Sequence, residues 1–150
     1  MRRPLLLLCL GFWVATSAMA AESGRIIKVL PQFLDLTGQN ARSPSLYDRD
    51  AYQAYLRQHT NEISGMRFAV QWKAHASTPL KLRVELRGIV AGKRPREAVL
   101  ETDVHPAWFS HWASVPFTGD DYKGFGEVTA WRVTLWDGDR LLNEQKSFLW

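Results

Sequence analysis

Cysteine is nearly absent: Cys9 is the only one in 150 residues, and it lies in an apolar stretch at the N-terminus. Beyond that stretch the chain has no thiol nucleophile, no disulfide and no thiolate metal ligand. No further run of about 18 or more uninterrupted apolar residues follows, so no transmembrane helix is expected after the N-terminus. There is no Gly-x-Ser-x-Gly elbow, no His-Glu-x-x-His pair and no phosphate-binding glycine loop, and the sequence therefore offers no familiar route to catalysis. No cofactor is expected. What remains is a composition of 46% hydrophobic and 23% charged residues, which suits a globular fold of one domain and not disorder.

The first positive signal is an address. Arg2 and Arg3 precede the apolar stretch Leu5 to Val14, and Ala18-Met19-Ala20 supplies small residues for cleavage, so residues 1–20 read as a secretory signal peptide. The stretch is shorter than the ~20 residues a span requires, and no span is expected once it is cleaved. Leu6-Leu7-Leu8 ahead of Cys9 does not suit lipidation. The expected product is a domain of residues 21–150, exported to the periplasm or secreted. The formal charge of +4 includes Arg2 and Arg3; without them 17 basic residues face 15 acidic ones, a net of +2. With Glu85, Glu97 and Glu101 interspersed among the basic side chains, this is no footprint for nucleic acid.

The second signal is alternation with period two, which places every second side chain on one face of a strand. Met66, Phe68, Val70 and Trp72 share one face, opposite Arg67, Gln71 and Lys73. Leu80, Leu82, Val84 and Leu86 oppose Lys81, Arg83, Glu85 and Arg87 without an exception. Burial of those last four apolar chains contributes about 6–12 kcal/mol gross, before chain entropy is subtracted. Further strands are predicted over Arg25 to Leu36, Glu97 to Val104, Trp112 to Phe117, Glu127 to Trp136 and Arg140 to Trp150. Pro31 marks an edge position or a change of sheet and Pro116 an edge or a bulge, since proline has no N–H for a ladder. Thr118 to Gly126 reads as a loop, and Asp137-Gly138 as the turn of a final hairpin. Ser43 to Gln58 breaks the pattern. Tyr47, Ala51 and Tyr55 recur at helical spacing beside a row of Tyr52 and Leu56, and Ser45 can cap Asp48, so a short helical insert is expected at about 45–57 with its tyrosine side over one end of the sheet core.

Seven strands at short intervals with no βαβ alternation predict a mainly β fold, a two-sheet antiparallel sandwich, with a closed barrel as the alternative. Trp72 on an early central strand, Trp131 on the penultimate one and the terminal Asp-Gly hairpin resemble immunoglobulin-like and fibronectin-type-III-like domains over about residues 26–150. The chain also resembles short exported bacterial proteins. That likeness speaks to compartment and not to mechanism, and function must come from a site.

Two candidate sites stand out. Exposed tryptophan and tyrosine rings anchor protein interfaces and stack on sugars. If Trp131, Val133 and Leu135 face inward, Trp136 faces outward beside Arg132, which makes this pair the first candidate patch; Phe148 across the hairpin is the group expected to cover Trp136 if it is not open. Trp108 and Trp112 in the segment His105 to Trp112, with Tyr122, form the second. His105 and His111 lie in that segment too, and imidazole suits Zn or Cu, although a third ligand would have to come from elsewhere. The sequence thus predicts an exported, non-catalytic binding module whose partner in the cell envelope is a protein or a glycan. The alternatives are a small secreted enzyme or metal-handling protein using His105 and His111, and a structural envelope subunit pairing through exposed strand edges.

Overall fold

A computed structural model describes residues 23–150, and the signal segment expected over residues 1–20 lies outside them. In chain order the elements are β1 (Ser23–Asp35), α1 (Leu46–Gln58), β2 (Ile63–His75), β3 (Leu80–Ile89), β4 (Arg96–Val104), β5 (Ala107–Thr118), α2 (Gly119–Phe125), β6 (Glu127–Asp137) and β7 (Arg140–Lys146). The strands form the expected two-sheet antiparallel sandwich. A three-stranded sheet ordered β1-β2-β5 faces a four-stranded sheet ordered β4-β3-β6-β7.

The alternation read from the sequence builds the interior. Met66, Phe68, Val70 and Trp72 of β2 pack against Leu80, Leu82, Val84 and Leu86 of β3, with Val115, Phe117, Val133 and Leu135 joining them, all buried. Trp72 is held there by packing alone, its Nε1 having no hydrogen-bond partner. A one-residue slip of β3 would expose four of these side chains, so the register is fixed by burial.

β1 is an edge strand, one of the two readings that Pro31 allows: it pairs with β2 on one side only. Its other side is closed by side-chain carboxamides. Asn143 Oδ1 on β7 accepts from the Ile26 N–H at 3.0 Å, and Gln145 Nε2 donates to the carbonyls of Ile26 and Ile27 at 3.2 and 3.3 Å. Further along, Gln53 of α1 accepts from the Phe33 N–H at 2.7 Å and donates to the Phe33 and Asn40 carbonyls at 2.9 and 2.8 Å. Gln53 is 5% exposed, so these bonds satisfy backbone groups that water does not reach easily.

Ser45 caps α1 as expected, its side chain accepting from the Asp48 N–H. Of the two rows read from the sequence, α1 buries one and exposes the other. Tyr52 and Leu56 are buried together with Gln53, whereas Tyr47, Ala51 and Tyr55 are exposed, because the helix lies against β1 by the side that carries Gln53. Tyr52 donates its hydroxyl to Asp35 Oδ2 at 2.7 Å, and Asp35 Oδ1 accepts from Thr37 Oγ1 and the N–H groups of Thr37 and Gln39. Burial pushes the Asp35 carboxyl up, but these hydrogen bonds outweigh it and hold the group at about 2.

Three other segments correct the sequence reading. Thr118 to Gly126, rich in glycine, contains the helix α2 instead of a loop, because Tyr122 and Phe125 both pack edge-on against Phe117. Phe125 also fills space that Gly88 leaves by lacking a Cβ. The segment from Ala107 to Trp112 is strand, continuous with Trp112 to Phe117. The last hairpin turns at Gly138-Asp139, one residue later than expected, since Asp137 pairs with Arg140 and only Gly138 has positive φ, at 55°. That is the pattern of a II′ turn, which needs glycine at its first central position.

Replacing Gln53 by Ala should cost about 2–3 kcal/mol in urea unfolding, because it strands the Phe33 backbone groups, while the exposed Gln58→Ala should stay within about 0.5 kcal/mol of wild type. The Asp35 carboxyl is depressed from 3.8 to about 2, so its stabilisation is present above 3.8 and is lost as pH falls through about 2. The melting temperature of wild type should accordingly exceed that of Asp35→Asn at pH 5 and converge towards it by pH 2.

Candidate functional site

The two sheets differ in how their outer faces treat charge. Strands of the four-stranded sheet carry seven basic and seven acidic residues. Their side chains pair across strands. Glu101 accepts from Lys81 at 2.9 Å and Arg83 at 2.7 Å, Arg87 lies 3.6 Å from Glu97, and Arg132 binds Glu144 at 2.8 Å and Glu85 at 3.5 Å. Lys81 and Arg83 hold the Glu101 carboxyl below its ordinary range. Exposed pairs of this kind stabilise little, about 0–1 kcal/mol each, but they leave the face neutral.

The first candidate patch lies on this face. Trp136 points outward from β6, as predicted, but its ring is half-buried and lies flat along the sheet. Its Nε1 donates to Thr134 Oγ1 at 2.8 Å, Thr134 beneath is fully buried, and the Arg83 guanidinium sits 5.4 Å from the ring centroid. Arg83, not Phe148, covers the ring; Phe148 is fully exposed. Arg132 is occupied by its two glutamates. The pair is an element of a self-satisfied face.

The three-stranded sheet is different. Its strands carry Arg25, Lys28, Arg67 and Lys73 against a single acid, Asp35, which is turned to the loop after β1. Arg25 is directly opposite Lys73 with no acid between them, a like-charge pairing that destabilises a sheet. Arg67 donates to Gln32 Oε1 at 2.9 Å, and among the described residues no carboxylate lies within ion-pair reach of it. Burial, and then the charge of Arg49, hold its guanidinium below the ordinary value. The next outward row joins Lys28, Gln71 and Trp112 across the three strands.

Edge strand β5 carries three exposed aromatic residues. Between the pairs Trp72–His111 and Ala74–Ala107, three residues of β5, Trp108 to Ser110, oppose Lys73 alone, so the strand bulges outward beyond the core. Trp108 is 80% exposed, Phe109 83% and Trp112 53%. Trp108 rests edge-on against His75 with centroids 4.9 Å apart. Trp108 and Trp112 therefore share one exposed strand, as the second candidate patch requires. Tyr122 does not join them. It lies in a cleft of about 640 Å³ between the sheets, with Phe33, Ile63 and Met66, where burial pushes its phenol up. His105 and His111 are exposed at either end of the bulge. Among the described residues no three His, Cys, Asp or Glu side chains gather closely enough to hold a metal ion.

The residues that sequence reasoning missed are Phe109, Arg67 and Arg49. The one-dimensional signal was there: β2 runs for 13 residues with two cations and no acid. No family model, curated protein or solved structure matches the chain.

The division of tryptophans into covered and open rings is directly measurable. Acrylamide should quench wild-type fluorescence in large part through Trp108 and Trp112, so Trp108→Phe/Trp112→Phe should remove most of the accessible fraction and Trp136→Phe should barely change it.

Proposed function

We propose that the protein is an exported, non-catalytic binding module that holds a partner of the cell envelope, a protein or a glycan, on the outer face of β1-β2-β5. The observation that carries this reading is the exposure of Trp108, Phe109 and Trp112 together on β5. Exposed aromatic clusters of this kind are expensive to leave in water and are characteristic of recognition surfaces. The site first expected at Trp136 and Arg132 supports binding less well, because its charges are already paired. The N-terminal Arg2-Arg3 and apolar sequence supports the exported location. Seven strands divided three against four support the resemblance to immunoglobulin-like sandwiches.

Two features weigh against a structural subunit that polymerises through strand edges. The bulge at Trp108 to Ser110 and Pro116 interrupt the free edge of β5, and side-chain amides occupy that of β1. For a metal-handling role, His105 and His111 lack a third ligand nearby among the described residues.

Affinity capture from envelope extract of the producing cell tests the reading, with wild type compared against Trp108→Ser/Phe109→Ser/Trp112→Ser. The variant should melt within a few degrees of wild type, since all three rings are exposed, and should lose the partner that wild type retains. Retention of that partner by the folded variant would remove β5 as the binding surface.

A further inference from the structure

Two depressions on the outer face of the three-stranded sheet meet at Leu30, Gln32 and Arg49. One, of about 280 Å³, runs from Arg49 past Asn40 and Arg67 to Trp112 and Ser114; the other, of about 350 Å³, runs from Arg49 past Asp50 to Arg57. Together they form a shallow groove between α1 and β5. One wall is a half-exposed indole. Guanidinium groups line its length. Asp50 binds Nε and Nη2 of Arg49 at 3.0 and 2.9 Å and so neutralises it in part. Arg67 keeps its whole charge, and its orientation is set by Gln32, itself 5% exposed and fixed by Asn40 Nδ2 at 3.1 Å.

We propose that this groove binds an acidic sugar, a uronate unit of a polysaccharide, stacked on Trp112 with its carboxylate on Arg67. The proposal rests on the reading of this face as the binding surface and names its ligand. The chemistry follows from the parts. A sugar ring offers an apolar face to an indole, and its hydroxyls match the Ser114 hydroxyl and the Asn40 amide. The planar fork of Arg67 suits a carboxylate or phosphate. A guanidinium positioned by Gln32, with no carboxylate partner among the described residues, leaves donors free for an anion arriving from solution. The like-charged Arg25–Lys73 pair and Lys28 lie further along the same face and extend the positive field beyond one sugar unit. A flat bilayer surface fits less well, because the Arg67 and Trp112 contacts lie in a recess.

Calorimetric titration of the purified protein with oligogalacturonate, an uncharged isomalto-oligosaccharide of equal length and phosphatidylglycerol vesicles tests this. Oligogalacturonate should bind, the neutral oligosaccharide should bind at least about tenfold more weakly, and the difference should shrink with added salt as charges are screened. Trp112→Ala and Arg67→Gln should each weaken oligogalacturonate about tenfold or more. Arg67 is partly buried, so Arg49→Ala, at a more peripheral position, provides a second cation deletion with the same expected direction. Absence of oligogalacturonate binding, equal binding of the neutral sugar, binding of vesicles alone, or indifference of the folded Trp112→Ala and Arg49→Ala variants would each overturn the proposal. If a neutral sugar or a protein binds in a manner that needs Trp112, the acidic-sugar assignment fails while the binding surface stands. If no ligand depends on the β5 rings, the surface itself fails.

Discussion

Everything on the outer face of the three-stranded sheet depends on how the free edge of β1 is closed. An edge strand presents alternate N–H and C=O groups that another chain can pair with, and proteins must cover or interrupt them. Here the closure comes from Gln53, Asn143 and Gln145, each using a side-chain carboxamide as a substitute for a neighbouring strand. The last two reach from the four-stranded sheet, so the same bonds stitch the two sheets together along one side. Gln53 reaches from α1 and sets the helix at the margin of the sheet, not across it. Because it stands at the edge, it makes the wall of a groove.

Charge is partitioned with the same economy. Residues 21–150 have nearly balanced charge, yet the acids that accompany strand cations lie almost wholly on the four-stranded sheet. One outer face is an ion-pair lattice with Trp136 folded into it. The other leaves its cations facing solvent or one another. Stability alone does not favour this arrangement, since moving one glutamate opposite Lys73 would relieve a repulsive pair. A sheet face that keeps unpaired cations beside exposed rings is the arrangement on which the proposed anionic, ring-bearing partner rests.

Much of the fold was legible in the sequence because burial writes itself as period two. β2 and β3 declare their inward faces residue by residue, and Ser45 with Asp48 declares the start of α1. Pro31 and Pro116 each left an edge position open beside one alternative, and both are found on the edges of the three-stranded sheet. What was illegible is long-range. Tyr122 and Phe125 form a helix because Phe117 and Gly88 offer them a place to pack, and nothing in a glycine-rich stretch announces that. The outward direction of Trp136 followed from alternation, but its covering by Arg83 required knowing that β3 pairs with β6. Likewise the basic face exists only once β1 pairs with β2, which brings Arg25 and Lys28 beside Arg67 and Lys73 although some forty residues separate the two pairs along the chain.

The central claim is that recognition belongs to the outer face of β1-β2-β5, with Trp112 at its centre. An amide and indole chemical-shift titration of the labelled protein with oligogalacturonate tests it most directly. The account predicts that the Trp112 indole and the amides of Lys28 to Leu30, Gln32, Arg67 to Gln71 and Trp112 to Ser114 move together along one binding curve while β3 and β6 stay still. Shifts confined to β3 and β6, or to the cleft around Tyr122, with Trp112 unmoved, would contradict it.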